Sequence, residues 1–303
     1  MKVLITGATS MIGSALMKRL LTSGHSVVAV VRAGSAKANA LDVLANVKVI
    51  CSGMTDYDAL SVKVEDPIDA AVLMAWNGTR GKDRMDAVMQ QRNEADNAAL
   101  LPELVKLGCR TVMTAGSQAE YGPWQSESAQ TEEAPLCPNT EYGKSKLRFY
   151  RKADAFCREH GIRLIEPRFF SLYGPEDNEN TLIMSLLRSM RKNEPCSMTA
   201  CVQMWDYLYI DDAAAGLVKL LTEDHPGGVY NFGSGDCRPL KAYVEEMYHV
   251  TESESELRYG AVPYPPTGMV SIHPSVDKLL ATGWRPQVSF EHGIRKIMTG
   301  DII

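Results

Sequence analysis

Short apolar runs alternate with amphipathic stretches through the first two thirds of the chain. Lys2–Thr6, Ser26–Val31 and Val47–Cys51 read as buried strands, as do residues 70–74, 110–115 and 163–168. Helix-period patterns separate them, at residues 14–21 with a stop at Gly24, at 83–107 and at 141–160. This alternation predicts an α/β chain with a doubly wound parallel sheet and helices on both faces. Working residues then belong at the carboxyl ends of the strands. Gly7 lies just past one such end and Ser117 just past another. After Arg168 the pattern loosens into loops rich in Gly, Pro and Asn with short helices such as 180–192.

Composition narrows the class. A chain of 303 residues has room for about two domains. Hydrophobic content of 45% supports a sizeable core. A formal charge of −5 argues against nucleic acid or an anionic membrane as the main partner. No stretch approaches the ~18 apolar residues of a membrane span. The chain enters a strand directly, without the layout of a secretory signal, so a cytoplasmic location is expected. The seven cysteines have no zinc-like spacing and read as reduced thiols, and no metal site is expected.

Two local patterns carry chemistry. The first is Gly7-Ala-Thr-Ser-Met-Ile-Gly13, between a strand and a helix. Gly7 permits a tight turn and close backbone approach to a pyrophosphate, and Gly13 permits close helix–strand packing. Thr9, Ser10, Met11 and Ile12 complete the turn, and the helix start offers N–H groups to phosphates. An ordinary strand–helix turn is the competing reading. The second pattern is Tyr142 and Lys146, four apart on one helix face, with Ser117 upstream. An ammonium beside a phenol favours the phenolate, which predicts a lowered pKa for Tyr142, with Ser117 steadying the substrate oxygen. The competing reading is a surface tyrosine near a solvated lysine. The second strand ends at Val31-Arg32 with no acid before Asp42. A missing acid and an added cation favour NADP(H) over NAD(H), with Arg32, and Lys37 nearby, on the 2′-phosphate.

Taken together, these motifs resemble the extended short-chain dehydrogenases/reductases, the NAD-dependent epimerase/dehydratase family of nucleotide-sugar enzymes. The matches run in family order: Thr6-Gly7 to Gly13, Asn93, Ser117 before Tyr121-Gly122, Tyr142 with Lys146, and Pro167-Arg168 before Tyr173-Gly174-Pro175. Residues 205–212, 230–235 and 283–286 follow. The resemblance implies a Rossmann domain over residues 1–168 and a smaller, discontinuous substrate domain mainly over 169–303. Segments near 206–235 return to the main sheet, chiefly 206–210 and 229–232. It implies Ser117, Tyr142 and Lys146 as the catalytic relay. Met54, Ala75, Asn93 and Arg168 join the turn residues, Arg32, Tyr142 and Lys146 around the cofactor. Trp76, Ser117, Gln118, Ser171 and Trp205 face a nucleotide-sugar substrate. It also implies a homodimer through the two long helices.

Several positions depart from the family pattern. Ser10 replaces a glycine, Gly53-Met54 an Asp-aliphatic pair, Ser171 an asparagine and Trp205 an arginine. Gln118-Ala119 stands where 4,6-dehydratases carry an Asp-Glu pair, and Glu120 is expected on the opposite face of an extended segment. Dehydration is therefore disfavoured. The expected activity is reduction of a 4-keto group on a nucleoside-diphosphate hexose, with 4-epimerisation as the alternative. Reduction of a small carbonyl compound and a non-catalytic NADP(H) sensor are the outlying readings.

Overall fold

β-branched residues build the centre of the sheet. A computed structural model describes residues 1–303 except 36, 37, 39, 40, 42, 125–127, 265–267 and 301–303. The first unit comprises Met1–Gly122, Glu132–Phe169 and Ala214–Tyr230. Its strands are β1 (Lys2–Thr6), β2 (Ser26–Val31), β3 (Val47–Cys51), β4 (Ala70–Leu73), β5 (Thr111–Thr114) and β6 (Arg163–Phe169). Helix α1 (Met11–Thr22) follows β1, α2 (Ala87–Lys106) follows β4, and α3 (Glu141–Glu159) precedes β6.

The sheet order is β6-β5-β4-β1-β2-β3, with Gly228–Phe232 beyond β6. The pairs from β3 to β6 are parallel, as is the short strand Gly116–Ser117 against Arg168 and Phe169. Successive strands move outward one way from β1 and then the other way from β4. The order therefore reverses between β1 and β4, which opens a crevice past their carboxyl ends. Leu4, Val28, Val30, Ala71 and Val112 from the strands meet Leu100, Leu101 and Leu104 of α2 and Phe149, Ala153 and Cys157 of α3 in one core. Both faces of a parallel sheet must be covered, so these strands read as nearly continuous apolar runs.

The second unit comprises Pro123–Thr131, Phe170–Ala213 and Asn231–Ile303. Tyr173, Tyr207, Tyr243 and Phe290 pack together, edge-on, tilted or, for Tyr207 on Phe290, stacked, with Tyr243 and Phe290 centroids 4.6 Å apart. Asp206, fully buried, accepts hydrogen bonds from the N–H groups of Ser234 (2.6 Å) and Gly235 (2.8 Å).

Three elements differ from the sequence-based expectation. Residues 83–86 do not begin α2. They lie in or after a 3-10 turn, Gly81–Met85, because Asp86 caps the helix by accepting from Met89 N–H. The helix expected at 180–192 is Leu182–Met190. Residues 206–210 do not return to the main sheet. Tyr207–Tyr209 pairs with Ser171–Tyr173 in a separate two-stranded sheet. The chain turns helical at Ile210, where Asp211 and Asp212 suit the positive end of the helix Ile210–Thr222.

One glycine sets the entry of α3. A Cβ on Gly143 would fall well inside contact distance of the Ala119 carbonyl oxygen, main chain that cannot rotate away. Gly143→Ala should therefore push the helix start off the 118–120 turn and destabilise the protein by about 1–3 kcal/mol. A lowered urea midpoint checks this, and an unchanged midpoint counts against the close approach.

Candidate active site

The nucleotide turn forms from strictly local causes. Gly7 has φ +69°, a left-handed conformation open to glycine. A Cβ there would lie 3.0 Å from Ala75 N, so the turn sits directly against the chain leaving β4. Thr6 Oγ1 accepts from Met74 N–H (3.1 Å) and Ala75 N–H (3.2 Å), which holds the two strand ends together. Ser10 is the N-cap of α1, accepting from Gly13 N–H at 3.1 Å. Its replacement of a glycine is thus a capping choice. Thr9, Met11, Ile12 and Gly13 lie on the same turn. The N–H groups of a first helical turn have no carbonyl partner within the helix. Turn, crevice and helix start fit a dinucleotide pyrophosphate.

The wall beside the crevice is Ala75-Trp76-Asn77. Asn93 of α2 is buried and spends its side chain on this wall, accepting from Asn77 N–H (3.1 Å) and donating to Asn77 O (2.9 Å). Asn97 donates to Ala75 O at 3.2 Å, and Trp76 Nε1 donates to Gln90 Oε1 at 2.7 Å. Asn93 thus shapes the wall through hydrogen bonds to main chain. Asn77 Nδ2 lies 3.6 Å from Met54 Sδ, so Met54 borders the same wall. Arg32 is exposed at the end of β2, beside the buried Val31. Lys37 and Asp42 lie outside the described residues.

Ser117, Tyr142 and Lys146 come together as the spacing predicts. Ser117 and Tyr142 are joined by a side-chain hydrogen bond. Ser117 Oγ also accepts from Ala119 N–H at 3.2 Å, leaving its proton for donation. The Lys146 ammonium donates to Ala115 O at 2.8 Å and lies 3.9 Å over the Trp76 ring and 5.8 Å from the Tyr142 centroid. Trp76 and Tyr142 meet edge to face at 6.4 Å.

The electrostatics correct one expectation. Burial raises the pKa of Tyr142, against the expected fall. The hydrogen bond from Ser117 and the charge of Arg84 work to lower it, and Lys146 is not among the groups acting on it. The Arg84 guanidinium sits 4.6 Å over the phenol ring. Lys146 is itself pushed down to about 8 by burial, with the charges of Glu120 and Glu166 opposing.

Arg168 also takes a different place from the one expected. It is 1% exposed, and its Nε donates to Glu166 Oε1 (3.0 Å) and Glu120 Oε2 (3.2 Å). Its Nε serves an internal ion pair, while its Nη1 is enclosed with no protein partner among the described residues. Glu120 does avoid the reacting face, but not because the segment is extended. Gln118–Glu120 is a 3-10 turn, and the Glu120 carboxylate folds back to accept from Ser117 N–H at 2.8 Å. Arg84, Glu120 and Glu166 were not candidates from sequence. A signal for the last existed: Glu166 and Arg168 stand two apart in an apolar strand, hence on one face, which predicts a buried ion pair.

Gln118 keeps Oε1 enclosed with no protein partner among the described residues. Ser171 and Trp205 belong to the second unit. Ser171 pairs with Tyr207, and the Trp205 and Tyr207 rings lie 6.3 Å apart, so the two residues flank one tyrosine. Among the described residues, no cluster of three or more His, Cys, Asp or Glu side chains is placed to hold a metal ion, and no helix is long and apolar enough to cross a membrane.

Arg84 gives a direct test of the phenol's surroundings. Arg84→Met removes the cation that opposes burial, so Tyr142 should ionise at a still higher pH. Ultraviolet difference titration against Tyr142→Phe reads that one phenol. A midpoint that stays put or falls would show that Arg84 does not act on it.

The comparisons agree with this geometry. The NAD dependent epimerase/dehydratase family model matches residues 3–233. CDP-abequose synthase of Salmonella muenchen is 25% identical over 301 residues, covering 98% of this chain and 97% of the relative. GDP-L-fucose synthase of Sinorhizobium fredii is 23% identical over 97% of this chain and 93% of the relative. Among solved structures, UDP-glucose 4-epimerase of Thermotoga maritima with UDP-glucose superposes with TM-score 0.89 at 19% identity, over the full length of both chains. The Thermus thermophilus UDP-glucose 4-epimerase complex with NAD gives 0.87 at 22%, again over the full length of both. With a family match over most of its length and the turn, crevice and relay in family order, this chain belongs to the NAD dependent epimerase/dehydratase family, the extended short-chain dehydrogenases/reductases.

Proposed function

We propose that the protein is an NADPH-dependent ketoreductase acting at C4 of a nucleoside-diphosphate hexose. The end of β2 carries the reading. Val31 is buried and offers no carboxylate to ribose hydroxyls, while Arg32 beside it is exposed and free to meet a 2′-phosphate. An enzyme that exchanges reduced cofactor at every turnover suits NADPH. The two synthases similar over nearly the whole chain, named for a CDP-linked and a GDP-linked sugar, support the substrate class.

The residues divide the work. The turn from Gly7 to Gly13 and the Ala75–Asn77 wall would hold the cofactor, whose nicotinamide supplies the hydride. Ser117 bonds the substrate oxygen and Tyr142 delivers a proton to it as the carbonyl becomes a hydroxyl. Burial keeps Tyr142 protonated before the reaction, which suits a donor. The Arg84 guanidinium, over the phenol ring, eases the charge left when the proton departs, and the Lys146 ammonium on the same helix face would meet the cofactor. Elimination of water needs a second acid–base pair, and Gln118 and Ala119 cannot provide one. Trp205 and Ser171 would contact the nucleotide sugar in the second unit. The relay serves 4-epimerisation equally, and that is the second reading. By the family resemblance, a second copy pairs through α2 and α3.

Stoichiometry separates the two. With a 4-keto sugar nucleotide the wild type should consume one NADPH per sugar and stop when cofactor is exhausted. Interconversion of 4-hydroxy epimers with no net absorbance change would overturn the ranking. In the same assay Tyr142→Phe should lose about 10²–10⁴ in kcat while still binding cofactor, and near-normal turnover would remove Tyr142 from the relay.

Cofactor choice has its own test. Loss of a charged partner to a phosphate costs about 1.5–3 kcal/mol, about tenfold to a hundredfold in affinity. Arg32→Ala should weaken NADPH by that factor and leave NADH nearly unchanged. An equal effect on both, or tighter NADH binding by the wild type, argues against the assignment.

A further inference from the structure

Below Ser117 lies a cluster of charges with no access to solvent. Glu120 is 0% exposed, and Glu166 and Arg168 are 1% exposed each. Arg168 Nε donates to both carboxylates, and the two carboxyl groups also hydrogen-bond each other. Burial pushes both carboxyls up, Glu166 well up with the charge of Glu120 adding to it, and the guanidinium of Arg168 pulls each of them back down. The strand segment Gly116–Ser117 passes directly over them. A Cβ on Gly116 would lie 2.8 Å from Glu166 Cγ and 3.0 Å from Arg168 Cγ.

Burying so much charge is costly unless every partner is in place, and sheet packing alone does not call for it. Its outlets lead to the relay. Glu120 Oε1 accepts from Ser117 N–H at 2.8 Å. The charges of Glu120 and Glu166 also act on Lys146, and that of Glu120 acts on Tyr142.

We propose that Glu120, backed by Arg168 and Glu166, is a positioning residue of the relay: it holds the main chain at Ser117 in place and sets a buried carboxylate in the 118–120 turn that lies against the start of the helix carrying Tyr142 and Lys146. This rests on the reductase reading for its effect on turnover, but not for its effect on Lys146. The charged and titratable groups around Glu120 are Arg168 and Glu166 on β6, Lys146 and Tyr142 on α3, and Tyr121 on its own turn. Tyr150 on α3 faces Glu166 and Arg168.

The sign follows from these neighbours. Lys146 titrates at about 8 with Glu120 in place. Without that charge the ammonium loses support and its midpoint drops. Glu120 also raises Tyr142, so removing it lowers the phenol. Both changes move the alkaline limb of kcat to lower pH.

The experiment is a pH titration of the Lys146 Nζ by ¹⁵N NMR, assigned with Lys146→Arg, in the wild type and in Glu120→Gln, beside kcat against pH. The Glu120→Gln lysine midpoint should fall by about one unit or more, with the alkaline limb of kcat following. Unmoved lysine and kcat midpoints in a folded Glu120→Gln overturn the proposal. If the single variant does not fold, the decision passes to the wild type. The wild type supplies a check that needs no variant: the Ser117 amide should follow the titration of the carboxyl pair, and a Ser117 amide indifferent to pH sinks the idea. A wild type that reduces no 4-keto sugar nucleotide sinks the reductase reading alone, because the lysine titration still decides the role of Glu120.

Discussion

A guanidinium with no water around it must be neutralised where it stands, and Arg168 is neutralised by Glu120 and Glu166. That requirement ties three pieces of the first unit together. β6 contributes Arg168 and Glu166, and the turn after β5 contributes Glu120. The short strand Gly116–Ser117 has room to cross above them because Gly116 has no side chain. Removing one partner of such a pair leaves an uncompensated buried charge, at about 3–5 kcal/mol. The turn bearing Ser117 is therefore anchored from below by electrostatics, and from the side by the close approach of Gly143 to Ala119.

This anchoring fixes the surroundings of a buried phenol. Tyr142 is surrounded by protein, and burial holds the proton on its oxygen. Three groups adjust that state: Ser117 by a hydrogen bond, Arg84 by standing over the ring, and Glu120 by opposing both. Lys146 is steered elsewhere, to Ala115 O and the face of Trp76. The phenol and the ammonium thus share a helix face but take different partners. The cofactor side is built more simply. Thr6 staples the ends of β1 and β4, Gly7 lets the turn lie against Ala75, and Asn93 and Asn97 fix the wall through its main chain.

Much of this was legible in the chain, for physical reasons. β1 and β2 are largely buried runs rich in β-branched residues between turn signals, and their bounds follow from composition; β3, read as buried, is an edge strand in which only Ile50 is buried. The glycine turn is a local motif whose geometry depends on neighbours in sequence. Tyr142 and Lys146 share a helix face by their spacing. Element ends were harder to read. The start of α2 was displaced by the Asp86 cap. Residues 206–210 left the main sheet because Tyr207–Tyr209 found a partner in Ser171–Tyr173.

What the sequence by itself determined is the alternation of strands and helices, the family, and the shared helix face of Tyr142 and Lys146, because each is written in periodicity or in motifs a few residues long. Only the tertiary structure decided what surrounds those residues. Arg84 over Tyr142, Trp76 under Lys146, and Glu120 with Glu166 around Arg168 are contacts between side chains that are, in most cases, tens of residues apart in the chain. The pKa of a buried group depends on the sum of such neighbours and on the water they exclude. Spacing along the chain therefore predicted that the phenol and the ammonium share a face, while three-dimensional packing decided which way each of them titrates.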